Sequence, residues 1–459
     1  MKTKIFLIAG ILYALPFFTH AQPVIVRQDP YITDLLERVS ADSIEATIRQ
    51  LAAFGTRHTL SPTHSDTFGI GAARRWIYRT LKRYAEAGGG RMEVSFDAFT
   101  YGPDRRRVNR KVVLKNVIAT LPGTEPADDR IFIIGGHYDS RVSHPMDSLS
   151  YAPGASDDAS GTAAVMELAR VLASEKFPAT LMFVAFAGEE QGLLGSRHLA
   201  AKADSLGWNV AGMITLDIVG NTTGDNGIKD NRTVRVFSEG VPSAETERQA
   251  RLRRAIGGEN DSPSRQWARY LKEVGERYVP HMTVKLVYRR DRYLRGGDHI
   301  PFNEHGFAAV RITEPNEAYT RQHQDVRVEN GIHYGDVPDQ VDFPYVADVA
   351  RINLASLVNV ALAPPAPAEA GLDARRLTVT TTVLWKPPVT GTDRIAGYYI
   401  LIRDTASPVW ERKFFVDAQT TSYTFSKFSK DDYFFGIQSV DRQGHESRIL
   451  FPMPIFRSR

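Results

Sequence analysis

The sequence contains no cysteine among its 459 residues. That excludes a disulfide framework, a thiol nucleophile and any cysteine-ligated metal, so a metal here must be held by His, Asp and Glu. An excess of one charge is also lacking: 57 Lys and Arg stand against 53 Asp and Glu, and Lys2 and Lys4 at the extreme N-terminus supply half of the surplus. A net charge of +4 over this length gives no reason to expect a nucleic-acid partner. Beyond the N-terminus no stretch approaches the roughly 20 apolar residues of a spanning helix, which argues against stable membrane insertion. Internal repeats are absent, as is a Gly-x-Ser-x-Gly nucleophile elbow. With 42% hydrophobic and 24% charged residues the chain has the composition of a folded protein, and its length suggests two or more domains.

What is present begins with an export signal. Lys2 and Lys4 precede an apolar run from Ile5 to Phe18, and Thr19-His20-Ala21 offers small residues at the cleavage positions. The run is too short for an anchor and is broken by Pro16, so residues 1–21 read as a signal peptide removed after Ala21. The mature protein is then expected in the periplasm, on the cell surface or in the medium.

Residues 22–362 form the first domain. Helical periodicity runs from Tyr31 to Ala53 and again from Ala72 to Tyr84. From Lys111 onward short apolar strands alternate with helices: Val112–Leu121, Arg130–Gly135, Thr162–Ala173, Ala179–Ala187, Gly212–Ile218, Trp267–Glu276, Phe307–Thr313 and Tyr345–Ala361. The strands at Ile131 to Ile134 and Leu181 to Phe186 are continuously apolar, as expected when helices cover both faces. The pattern predicts an α/β three-layer sandwich with a mostly parallel central sheet. A Pro/Ala-rich linker, residues 363–371, is expected to be extended and semi-rigid. Residues 372–459 then change to short strands with turn signals (Leu377–Trp385, Tyr398–Asp404, Ser422–Phe425, Tyr433–Val440), which predict an all-β sandwich of immunoglobulin-like size. Trp385 before Lys386-Pro387-Pro388, and the run from Tyr433 to Asp441 before Gly444, resemble a fibronectin type III domain.

In open α/β sheets ligands bind beyond the carboxyl ends of the strands. His137 and Asp139 follow the first core strand, Glu189 and Glu190 the second, Asp217 the third, and Glu314 and then His323 the fourth. Asp157 and Asp158 open a helix between the first two. Singly each has an ordinary explanation: a surface pair, a solvated acidic face, a helix cap. Together they bring imidazole and carboxylate to one edge, which is a zinc ligand set. His137-x-Asp139 also supplies a carboxylate that could orient a metal-bound imidazole.

The runs GGHYDS, PGASDDASG, FAGEEQGLLGS and LDIVGN, in this order, resemble the co-catalytic zinc aminopeptidases, family twenty-eight of the metallopeptidases, which also includes carboxypeptidases and glutaminyl cyclases. The resemblance spans roughly residues 30–362. It implies two zinc ions, with His137 and Asp217 on one, Glu190 and His323 on the other, and Asp157 bridging both. It implies Glu189 as general base and Asp139 beside His137, acting on peptide substrates. Two departures follow from it. Gln322 stands where a Tyr precedes the last histidine in some members, so Tyr319 or Tyr334 would have to serve. His333 and His299 compete with His323 as the last ligand, although His299 more resembles a supporting residue. Alternatives are a glutaminyl cyclase, whose members usually hold a single zinc, a carboxypeptidase, or a binding protein without catalysis. The basic run Arg105, Arg106, Arg107, Arg110 and Lys111 is expected to be a solvated hairpin face. Loops lining the substrate cleft are expected between Thr222 and Val287.

Overall fold

The computed structural model describes residues 25–104 and 106–456; the signal peptide expected at residues 1–21 lies outside the described residues. Three helices come first: α1 (Pro30–Glu37), α2 (Ala41–Ala52) and α3 (Gly69–Ala87). The single helical stretch expected from Tyr31 to Ala53 is two helices. Ser40 between them takes extended backbone, and its hydroxyl accepts from the Ser43 amide at 3.2 Å, starting a second helix. The chain continues through β1 (Glu93–Tyr101), β2 (Val112–Leu121), β3 (Arg130–His137), α4 (Gly161–Leu172), β4 (Thr180–Phe186), α5 (Leu194–Ser205) and β5 (Asn209–Leu216). It then forms β6 (Thr233–Ser238), α6 (Glu247–Ala255), α7 (Pro263–Tyr278), β7 (Thr283–Val287), α8 (His299–Glu304) and β8 (Ala309–Thr313). A small hairpin of β9 (Arg327–Glu329) and β10 (Ile332–Tyr334) precedes α9 (Phe343–Leu362).

Strands β1 to β8 make one sheet in the order β1-β2-β4-β3-β5-β8-β6-β7. The central four, β4, β3, β5 and β8, are parallel. The β1–β2 hairpin adds an antiparallel edge, and β6 runs against β8. Along β4 the side chains alternate between two cores. Leu181, Phe183 and Ala185 pack with the helices on one face, while Met182, Val184 and Phe186 pack with Leu199 of α5 and Phe302 of α8 on the other. Burial on both faces is what a continuously apolar strand encodes, each such side chain contributing roughly 1.5–3 kcal/mol. Helix α9 is long and apolar enough by length and composition to span a membrane, and 83% of its most apolar window is buried inside the fold. It is the helix around which α1, α2, α4 and α7 gather.

Beyond α9 the chain builds two further sheets. One has the order β15-β12-β11-β17, from β11 (Glu369–Asp373), β12 (Thr381–Lys386), β15 (Ser422–Phe425) and β17 (Met453–Ile455). The other is β14-β13-β16, from β13 (Gly397–Asp404), β14 (Arg412–Asp417) and β16 (Tyr433–Val440). Trp385, Tyr398, Ile400, Phe425, Phe435 and Ile437 fill the space between them. The expected spacer at residues 363–371 is shorter than its composition suggested. Ala363 is fully buried, its carbonyl accepts from Arg130 Nη2 at 2.9 Å, and Glu369 to Gly371 already belong to β11. The sandwich therefore lies against the first domain: Trp410 Nε1 donates to Gln266 Oε1 at 3.1 Å, and Glu446 pairs with Arg277 of α7 at 2.7 Å.

Candidate metal centre and active site

The carboxyl ends of β3, β4 and β5 and the start of α4 converge because small residues let them. A Cβ on Gly161, the first residue of α4, would lie 2.1 Å from the Leu216 carbonyl of β5, and one on Gly136 would lie 2.7 Å from Gly161. Asp158 ties three of these elements, β3, β5 and α4. Its Oδ2 accepts from the His137 amide at 3.0 Å, and its Oδ1 from the amides of Gly161 (2.9 Å) and Ile218 (3.2 Å). A buried carboxylate needs such partners. The peptide between Asp157 and Asp158 is cis.

Two groups of ligand-type atoms result. His137, Asp157 and Asp217 form one, and Asp157, Glu190 and His323 the other, each with its atoms within 4.8 Å of one another. Asp157 belongs to both. Its Oδ1 lies 3.2 Å from His137 Nε2 and its Oδ2 lies 2.9 Å from His323 Nε2. Glu190 Oε1 is 2.9 Å from His323 Nε2, yet it is buried without a hydrogen-bond partner. His137 Nδ1 faces the Asp139 main-chain oxygen at 3.1 Å, an atom that can only accept, so Nδ1 carries a hydrogen and Nε2 is the nitrogen turned to the ligand carboxylates. Imidazole and carboxylate donors converging on two points, one carboxyl oxygen orphaned, fit a pair of zinc ions in their chemistry.

Surrounding groups set each ligand. Arg311 Nη1 holds Asp217 Oδ2 at 2.7 Å, and Arg141 Nε holds Glu190 Oε2 at 2.9 Å. Asp336 accepts from the Ser156 amide at 2.8 Å and the Asp157 amide at 2.7 Å, fixing the backbone that carries the shared aspartate. Burial pushes the Asp336 carboxyl up to about 6. Glu189 is in neither ligand group but lines the same cleft. Burial pushes its carboxyl well above the usual range, and the charges of Asp217, Glu190 and Asp298 add to that against the pull of His137.

The other expected residues divide. Asp139 sits beside His137, but its carboxylate is turned to the loop after β4: Oδ1 accepts from the Gly188 (3.0 Å) and Glu189 (3.1 Å) amides and Oδ2 from the Glu190 amide at 3.1 Å. Its Oδ1 lies 3.6 Å from His137 Nδ1, farther than its own main-chain oxygen, so it positions Glu189 and Glu190 more directly than it orients the imidazole. His299 is outside both groups. Its Nε2 meets the Arg290 carbonyl at 2.8 Å, and burial depresses it to about 4. His333 lies exposed on β10, and Glu314 is in neither group; it accepts from the Asn221 amide at 2.6 Å and the Ser156 hydroxyl at 3.2 Å. Tyr319 lines the cleft and Tyr334 does not.

The cleft over these groups has a volume of about 620 Å³. Its walls come from Arg107, Arg141, Arg292, Leu294, Arg295, Gly296, Tyr319 and Gln322, and none of the residues between Thr222 and Val287 lines it. Those residues instead include β6 and α7, which are largely buried, with β7 and a mostly exposed α6, away from the cleft. The basic run is likewise more than a solvated face. Arg107 Nη1 donates to the Glu190 carbonyl at 2.6 Å, and Arg110 Nη2 to the Leu60 carbonyl. Of the residues sequence reasoning passed over, Arg311 carried a signal, a cation inside the apolar strand β8; Asp336 carried none.

A sheet whose parallel centre delivers two imidazoles and several carboxylates to one cleft defines a metal-dependent hydrolase. The profile of Peptidase family M28 matches residues 116–337. A probable zinc metalloprotease of Leptosphaeria maculans is 44% identical over 423 residues, covering 92% of this chain and 97% of that protein. One from Pyricularia oryzae is 43% identical over 423 residues, covering 91% and 84%. Among solved structures, the Legionella pneumophila LapA aminopeptidase shares the fold with a TM-score of 0.52 at 19% identity, over 79% of this chain and 80% of that one. LapB of the same organism gives 0.51 at 19%, over 75% and 78%. The chain belongs to Peptidase family M28, as a zinc metalloprotease.

Proposed function

We propose that the protein is an exported exopeptidase that removes residues from the amino terminus of peptides at a two-zinc centre. The observation that carries this is the sharing of Asp157 between two complete ligand groups, one with His137 and Asp217, the other with Glu190 and His323. Bound zinc would supply Lewis acidity toward the scissile carbonyl and make water acidic enough to attack at neutral pH. Glu189, free of both groups, would accept a proton from the attacking water and hand it to the departing amine. Asp139 fixes the Glu189 and Glu190 amides, and so the reach of the base. Tyr319 offers the cleft a hydroxyl that Gln322 lacks. Two ligand groups favour hydrolysis over glutaminyl cyclisation, which the resemblance associates with a single zinc.

Export rests on the leader pattern of residues 1–21. The division into a peptidase domain at residues 22–362 and a fibronectin type III-like sandwich rests on two separate hydrophobic cores and on sheets of four and three strands.

The test uses mature protein with added zinc and short peptides, each with an Nα-acetylated twin, followed by mass spectrometry. Loss of single amino-terminal residues from the free peptides alone is the expected result. Trimming from the carboxyl end would replace the direction but keep the centre, and no cleavage by the zinc-loaded protein would overturn the reading.

A further inference from the structure

The cleft separates charge by position. All four of its lining carboxylates, Asp157, Glu189, Glu190 and Asp217, belong to the floor, and its walls carry Arg107, Arg141, Arg292 and Arg295 with no acidic residue among them. Arg141 and Arg292 are engaged. Arg141 pairs with Glu190, and Arg292 reaches Asp291 and Glu317, both at 3.1 Å, and the Gly296 carbonyl at 3.0 Å.

Arg107 is not so committed, and Arg295, whose terminal nitrogens also reach Gln322 Oε1 at 3.4 Å, shares its one anion. Arg107 is exposed, and its guanidinium makes one hydrogen bond, to the Glu190 main-chain carbonyl. Among the described residues no carboxylate lies within ion-pair distance of it. Arg295 meets Glu317 at 2.8 Å, but Glu317 is shared with Arg235 at 2.9 Å and Arg292, one anion among three cations. Beside Arg295, Gln322 is 5% exposed and its Nε2 has no partner. A buried donor without an acceptor is costly unless a ligand supplies one. The wall thus brings guanidinium donors, in excess of the acidic partners they meet, to the same cleft as the ligand groups, and charge-assisted donors favour an anion.

We propose, resting on the peptidase reading above, that the cleft selects peptides carrying a carboxylate next to the scissile bond, and that Arg107 and Arg295 grip it. The carboxylate can come from an aspartate or glutamate side chain at the amino terminus, or from the free carboxyl end of a very short peptide.

Binding and turnover separate the outcomes. Zinc-loaded Glu189→Gln protein is titrated calorimetrically with Glu-Ala-Ala amide against Gln-Ala-Ala amide, and with Ala-Ala against Ala-Ala amide. One carboxylate member should bind roughly 10- to 100-fold tighter than its neutral twin, the range of a charge-assisted hydrogen-bonded contact. The first pair responding assigns the grip to a side chain, the second to the carboxyl terminus. In a folded Arg107→Gln, Arg295→Gln double variant on the same background the ratio should fall to within about threefold. Twins bound equally by the starting protein overturn the proposal, as does a ratio that survives in the double variant. Wild-type enzyme digesting every peptide alike would sink the carboxylate grip and leave the peptidase standing; failure both to bind and to cleave would sink both.

Discussion

Arg403 Nη2 of the C-terminal sandwich lies 2.5 Å from Asp261 Oδ2 of the peptidase domain, with both side chains buried. Asp261 precedes α7, and Arg269 of that helix closes on its other oxygen at 2.9 Å. One carboxylate therefore serves two guanidinium groups, one from the C-terminal sheets and one from α7. The sandwich is docked through charge that cannot be hydrated while the contact lasts, which is not how a freely tethered module attaches. Removing the anion leaves two buried cations, and breaking such a pair from one side costs about 3–5 kcal/mol. Asp261→Ala should lower the unfolding free energy by about 3 kcal/mol in urea, with both domains losing structure at the lower midpoint. A loss below about 0.5 kcal/mol would mean that the domains dock without this contact.

Glu189 is held on the floor of the cleft but outside both ligand groups. Glu189→Gln keeps the shape and removes the proton acceptor, so metal content should be unchanged while kcat falls at least about 100-fold, the scale of general-base catalysis. The checks are elemental analysis of the purified variant and initial rates on one peptide. Near wild-type turnover would falsify the assignment of the base.

The floor of this cleft was legible because most of its residues follow directly from strands that the sequence announces, and Asp157 opens the helix between two of them. His137 ends β3, Glu189 and Glu190 follow β4, and Asp217 follows β5, so a topological rule and four motifs were enough. The walls were not legible. Arg292 and Arg295 sit between β7 and α8, in a segment whose arginines look like any solvated loop. Arg107 belongs to a basic run whose placement over Glu190 depends on how the hairpin packs. Strands β6 and β7 escaped notice because Arg235 and Lys285 interrupt their apolar pattern, though Val234, Val236 and Val284 are fully buried. The division of labour at Asp139 was equally hidden. Its neighbour in sequence is the imidazole, but its carboxylate meets amides some 50 residues away.

Shared and unshared ligands should behave differently. Asp157 belongs to both groups, whereas His323 belongs to one. After dialysis against buffered zinc, His323→Ala should retain about one ion per chain and Asp157→Asn well under one, since loss of a ligand weakens each site it serves. Wild-type protein should hold about two. Equal metal content in the two variants would show that Asp157 does not bridge, and about one ion in the wild type would favour the cyclase chemistry.

Glu317 links the cleft wall to acid stability. Burial alone would raise its carboxyl, but Arg292, Arg311, Arg295 and Arg235 outweigh burial and hold it at about 2, below its ordinary 4.5. Its side chain is 4% exposed, so solvent screens little of this. A depressed folded-state value stabilises the native protein above the unfolded value near 4.5, and that contribution disappears as pH falls through about 2. The shift corresponds to about 3 kcal/mol at neutral pH, an order-of-magnitude figure for a group coupled to four cations. Urea unfolding of wild type and Glu317→Gln, compared from pH 7 down to pH 3, should show a stability gap that is constant above about pH 5 and narrows steadily below it. A gap that widens on acidification would mean that the carboxyl is protonated in the folded protein. The arginine wall would then carry more free charge than the ion pairs imply.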